Sequence, residues 1–229
     1  MKITVQTSVF KKFPNMSILA FSAHKVDNIT HKDQAGHLVE EASKLTQLTF
    51  KKKILKHHHK ISPWVMHQKH FGPSSAKYHT SVEILLKKSL AKQKVAAHNT
   101  LTNILRYMTL RHLVPIGVDD FNKIKGNLTF GIATGHERAH IFAKVKKGAL
   151  YYSDEKRVLG TKLDYWKSPR TAVHKSTKSA IFHVLCMPPV TEQDMRLITE
   201  EMQDLLEGFC GAKVNGLLIN SKKPSITIK

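Results

Sequence analysis

The 229-residue chain is 41% hydrophobic and holds two cysteines, which suits a folded protein with one sizeable core and excludes a disulfide framework. Its net charge of +20 and pI of about 10 point to an anionic partner: RNA, DNA or acidic lipid. No run of about 18 apolar residues occurs, and the opening MKITVQTSVFKKFP lacks the apolar stretch of a signal peptide, so the expectation is a cytoplasmic protein that crosses no membrane.

Residues 1–114 carry 19 Lys and Arg against 5 Asp and Glu, and the remainder 18 against 12. ITV and SILAFSA read as short strands on either side of SVFKKFP, a single turn of helix. From Asp33 onward, Ala35, Leu38, Val39, Ala42 and Leu45 recur at helical spacing and predict an amphipathic helix. It runs into KKKILKHHHK, residues 51–60. Lys51, Lys52, Lys53 and Lys56 make that run a candidate phosphate contact. Its histidines stand among lysines without the Cys or carboxylate partners of a metal site, so no metal is expected. SPWVMHQKHFG starts well as a helix, with Ser62 as N-cap and Pro63 at the first helical position, and Gly72-Pro73 ends it. Trp64 and Phe71 within it read as core. Tyr78, Val82, Leu85 and Leu86 mark a further helix. Its Lys87 and Lys88 are either a basic ridge or an ordinary solvated face. Leu101, Ile104, Leu105 and Met108 mark a fourth helix.

After Pro115 the period changes. GNLTFGIAT alternates Leu128, Phe130 and Ile132 with small or polar residues, as a half-buried strand does. IFAKV, ALYYS, RVLG and AIFHVLC read as further short strands. Strand geometry places Ile181, His183 and Leu185 on one face of the last, and Phe182, Val184 and Cys186 on the other. His183 is thus either a core histidine or the wall of a pocket. VTEQDMRLITEEMQDLLEGFCGA is a well-marked helix, capped by Thr191 with Asp194 at the third position and stopped by Gly211. A strand near Leu217–Ile219 and a basic tail, 220–229, close the chain. Cys186 and Cys210 read as buried, inert thiols. The expected fold is α+β: a helical N-terminal half packed on a mixed, barrel-like β core, with a long C-terminal helix, all one domain over residues 1–229.

Neither phosphate-cradling glycine motif occurs, so no nucleotide cofactor is expected. Ser168 and His174 lack the strained Gly-x-Ser-x-Gly setting of a catalytic serine. DYWKSPRTAVHKST, residues 164–177, crowds an acid, two aromatics, basic heads, hydroxyls and a histidine into a loop. A catalytic site, a nucleic-acid contact and a polar connection all fit it.

Four motifs in order, FGPSSAKYHTSVE (71–83), PIGVDDFNKIKG (115–126), YWKSPRT (165–171) with the following IF, and MPPVT (187–191), resemble a known family. This pattern is similar to the B3/4 domain, the tRNA-binding and editing domain of the phenylalanyl-tRNA synthetase β chain, and runs from about Phe13 to Gly211. The resemblance implies a barrel-like α+β fold, tRNA as partner and hydrolysis of the ester of mischarged tRNA. It also implies a site with His183, Arg170 and Thr171 at the reaction and Gly117, Asp120, Tyr165, Trp166, Lys167 and Ser168 lining the pocket. Gly117 stands where the synthetase domain has a histidine, and His183 where it has a glutamate. Tyr165-Trp166-Lys167 replaces the Asn-Trp-Arg of stand-alone relatives, and Asn103 and Arg106 replace an Asp and an Asn. These departures imply a different amino-acid preference, or binding without hydrolysis. Three readings follow: a trans-acting aminoacyl-tRNA deacylase, a non-catalytic RNA-binding module, and a small-molecule or protein-binding scaffold.

Overall fold

SILAFSAH and SAIFHVLC are apolar at nearly every position, so each needs cover on both faces. They form β2 (Ser17–His24) and β10 (Ser179–Cys186), paired antiparallel along their whole length. With β3 (Ile116–Asp120) beyond β10 and β11 (Lys213–Ile219) beyond β2, they build a four-stranded sheet. The computed structural model describes residues 1–50, 55, 57–69, 80–140, 143–161 and 166–228. Lys51, Lys52, Lys53, Lys56, Phe71, Gly72-Pro73, Tyr78, Tyr165 and the first two residues of IFAKV lie outside them.

A second sheet of six strands faces the first. Its order is β12 (Ser225–Thr227), β1 (Lys2–Val5), β4 (Leu128–Ile132), β7 (Leu150–Ser153), β8 (Val158–Thr161) and β9 (Trp166–Lys167). Ile3, Val5, Leu128, Phe130, Leu150 and Leu159 of this sheet pack against Ile18, Ala20, Ile181 and Leu185 of the other, and together they form one buried core. A short ribbon, β5 (Arg138–His140) with β6 (Ala143–Lys144), makes a separate two-stranded sheet.

The other face of the four-stranded sheet is covered by helices. Phe21, Phe182 and Val184 meet Leu101, Ile104 and Met108 of α5 (Thr100–His112) and Ile198, Met202 and Leu206 of α6 (Glu192–Cys210). α2 (Lys32–Thr49) and α4 (Ser81–Leu90) pack beyond, around Val39, Val82, Leu86 and Leu110. Two shorter helices are α1 (Thr7–Lys12) and α3 (Ser62–Lys69), and Trp64 of α3 reaches the inter-sheet core. No helix among the described residues is long and apolar enough to cross a membrane.

The fold is α+β with the long α6 expected, but two finer features differ. Among the described residues no barrel closes: β9 and β12 end one sheet, and β3 and β11 the other. The two sheets instead pack face to face, and α5 and α6 cover the other face of the four-stranded one. The N-terminal half is also not simply helical, since β1 and β2 each sit between two strands within a sheet. The stretch read as a basic tail supplies the edge strand β12, which pairs antiparallel with β1.

Candidate functional site

Across the six-stranded sheet the register aligns Phe130, Tyr152, Gly160 and Lys167 in one row. The ring of Tyr152 lies over Gly160, where an added Cβ would come within 2.2 Å of Tyr152 Cε1. The glycine therefore leaves the space through which Tyr152 and Lys167 reach the opposite sheet.

There they meet Asp119. Strand alternation places Gly117 and Asp119 of β3 on the inter-sheet face, while Ile116 and Val118 join the helix-side core. Asp119 is fully buried. Its Oδ1 accepts from Thr171 Oγ1 at 2.6 Å, and its Oδ2 from Tyr152 Oη at 2.8 Å and Lys167 Nζ at 3.0 Å. Lys167 Nζ also donates to Val118 O at 2.9 Å and lies 5.3 Å from the centre of the Tyr152 ring. A buried carboxylate is costly unless paired and hydrogen-bonded, and here both conditions are met.

His183 borders this seam. It pairs with Gly117 on β3 and with Ala20 on β2, two small neighbours that leave room for the ring. The imidazole stands edge-on to Tyr152 at 4.6 Å and to Phe130 at 5.2 Å. Beside it is a cavity of about 10 Å³ lined by Tyr152, Gly160, Thr161 and His183 together with apolar residues. That is about the space of one water molecule.

The loop after β9 is fastened locally. Ser168 N donates to Leu159 O at 2.7 Å, Ser168 Oγ accepts from Arg170 N at 3.3 Å, and residues 169–171 form one 3-10 turn. Thr171 is buried by that turn and Arg170 is exposed. Farther on, Thr177 Oγ1 donates to Asp120 Oδ2 at 2.7 Å and accepts from His174 N at 2.9 Å. The loop is thus tied down through both aspartates of GVDD.

The structure therefore brings Gly117, His183, Lys167 and Thr171 together around Asp119. Asp120 points to the opposite face of β3. Trp166, alternating with Lys167, lies on the outer face of its sheet, half-buried with Tyr151 against Ala133, Val145 and Ala149. Ser168 is buried at the base of the 3-10 turn. Lys87 and Lys88 occupy the last turn of α4, with Lys88 exposed. Sequence reading missed Asp119 and Tyr152. The signal for Asp119 was an acid continuing the apolar IGV at a spacing of two from Gly117. Cys186 and Cys210 are buried free thiols, and burial pushes both up to about 12.

A second polar cluster ties α5 to α6. Glu201 accepts from Tyr107 Oη at 2.8 Å and His112 Nε2 at 2.6 Å, and lies 2.9 Å from Arg111 Nε. Burial opposes the charge on Glu201, but the bonds from Tyr107 and His112 and the charge of Arg111 outweigh it and hold the carboxyl below its ordinary range. Burial, and then the bond to Glu201, push the Tyr107 phenol up to about 12. Burial lowers the His112 pKa despite the carboxylate beside it.

No curated protein sequence matches the chain significantly. Among solved structures, an N-terminal fragment of the phenylalanyl-tRNA synthetase beta-subunit from Pyrococcus horikoshii is similar, with a TM-score of 0.46 and 11% identity over 96% of this chain. This chain covers 54% of that fragment, about half its length. The family model described as the B3/4 domain matches residues 74–207, a span that takes in β3, β10, Asp119, the 166–171 loop and most of α6. With more than half of its length matched, the chain belongs to the B3/4 domain family.

Proposed function

We propose that this chain binds tRNA and, acting in trans, hydrolyses the ester of a mischarged aminoacyl-tRNA in the cytoplasm. The observation that carries the reading is the seam at Asp119, which fastens a basic loop beside His183 in a chain of net charge +20. Ester cleavage needs an oriented water and stabilisation of the developing oxyanion more than it needs a strong nucleophile. In this reading His183 holds the water and accepts its proton, and Lys167 faces the oxyanion. The leaving ribose oxygen then takes up the proton, so the products are free amino acid and tRNA. Arg170 grips a phosphate, which suits a planar guanidinium fork. Thr171 donates its hydroxyl proton to Asp119 and positions the loop. Lys87, Lys88 and the lysines of the 51–60 run add phosphate contacts.

The test is a panel of tRNAs mischarged with different amino acids, incubated with wild type, His183→Ala and Arg170→Ala. At least one ester is expected to hydrolyse well above the rate in buffer, with the activity lost in His183→Ala and the affinity reduced in Arg170→Ala. If no ester is cleaved faster than in buffer, the catalytic reading falls.

One observation favours non-catalytic RNA binding as a second reading. The cavity at His183 has room for about one water, and the hydroxyls of Thr171 and Tyr152 are both donated to Asp119. That reading expects charged and uncharged tRNA to bind equally well.

A further inference from the structure

Away from the seam, the second half of α2, the end of α5 and residues 58–60 enclose a groove of about 510 Å³. Small-ligand sites fall in the range of about 300–1,000 Å³. Its floor is apolar, from Leu38, Ala42 and Leu45 of α2 and Leu110 and Leu113 at the end of α5. Leu45 is 61% exposed, a large aliphatic group left facing water along the groove.

One wall is a row of rings. Phe50 and His58 lie 5.1 Å apart between centroids, and His58 and His59 4.3 Å apart with only 33° between their planes. Phe50 and His58 are half-buried and His59 is exposed, so the row ends in a ring open to solvent. Cations flank it. Lys60 lines the groove and shares its ammonium with Asp194 at 3.4 Å. Arg111 touches Glu201 through Nε yet keeps 54% of its side chain exposed.

A row of rings tilted by 53° and 33° to one another, beside an apolar floor and with cations near it, suits one ligand, an unstacked nucleotide. The ring row takes the base and the cations take the phosphate. Single-stranded RNA is read through splayed-out bases on aromatic, histidine and arginine planes, and stacking tolerates any base because every base has a π face. We infer that this groove seats an unpaired nucleotide of a bound RNA, stacked on His59 and His58 with its phosphate toward Lys60 and Arg111. The inference rests on the RNA-binding half of the function proposed above and is independent of hydrolysis.

The test uses the full chain and uncharged RNA: a single-stranded pyrimidine hexamer, a blunt RNA duplex and bulk tRNA. The variants are His59→Ala and His59→Trp. His59 is exposed, so both are expected to fold, which thermal melts check. His59→Ala is expected to weaken the hexamer by roughly fivefold or more, and His59→Trp to restore it. Duplex affinity is expected to stay unchanged in both. Hexamers carrying 4-thiouridine are expected to crosslink within residues 57–60. Equal hexamer binding by wild type and His59→Ala overturns the inference, as does an equal loss on the duplex, which would make the residue part of a general electrostatic surface. Concentration-dependent self-association abolished by His59→Ala also overturns it, since a second copy would then fill the groove. Loss of hexamer binding in His59→Ala alongside a wild type that cleaves no ester leaves the groove standing and removes the deacylase alone.

Discussion

Asp119 receives donors from three separate segments, Tyr152 on β7, Lys167 on β9 and Thr171 on the 3-10 turn. Removing it takes the carboxylate from a half-buried cation and from two hydroxyls at once. Asp119→Ala is expected to cost about 3–5 kcal/mol, the range for breaking a buried pair from one side, as read by urea unfolding. A loss below about 1 kcal/mol would mean that the seam is solvated. Gly160→Ala is expected to cost about 1–3 kcal/mol, because the Tyr152 ring has to move off the new methyl group. Combined with Tyr152→Phe, the loss should be less than additive, since both substitutions disturb one contact. Glu201 gives a pH signature. Its pKa is depressed in the fold, so its contribution is present above the unfolded value of about 4.3 and is lost as pH falls through the folded value. The depressed pKa of His112 acts with the same sign, starting below about 6.5. Below about pH 4.3 wild type should therefore lose stability more steeply than Glu201→Gln, in which His112 keeps its own acid loss, and parallel curves there would count against the pairing. His183 was legible as sharing a face with Ile181 and Leu185, because side chains alternate along AIFHVLC once it is read as a strand. Asp119 was not, because an acid two residues after Gly117 looks like a turn until its cation, Lys167, is found 48 residues away in sequence.

At the level of elements, the helices declared themselves best. Thr191 and Asp194 form a full capping box on α6, and Gly211 ends the helix at φ +56°. Thr191→Ala is expected to lower stability by about 1 kcal/mol, measured by thermal melting, and a change of only a few tenths would mean that Asp194 caps the helix alone. α4 carries the same device with Thr80 and Glu83, both buried. Two edge strands were harder to read. β3 is buried at every position, so IGVDD shows no alternation between apolar and polar residues, and its two aspartates hide a strand that the core requires. β12 went unread because three residues of edge strand, SIT, follow a lysine pair that suggests only solvent.

For the molecule as a whole, charge and topology set the behaviour. Each phosphate neutralised should steepen the salt dependence of RNA association by about 0.9 in a log–log plot for a duplex and about 0.7 for a single strand. Titrating tRNA at several salt concentrations is expected to give a steep line, and a flat one would remove RNA as the partner of the +20 surface. The order of strands has a different consequence. Among the described residues β1 pairs only with β4 and β12, and β2 only with β10 and β11. During synthesis the apolar SILAFSAH therefore leaves the ribosome long before anything exists to pair with it. The intervening helices must emerge, and the chain must grow past Cys186, before the central pair of the four-stranded sheet can close. Such long-range pairing folds slowly and leaves strand edges open meanwhile, so a nascent chain of this protein carries an unpaired apolar strand until β10 is made.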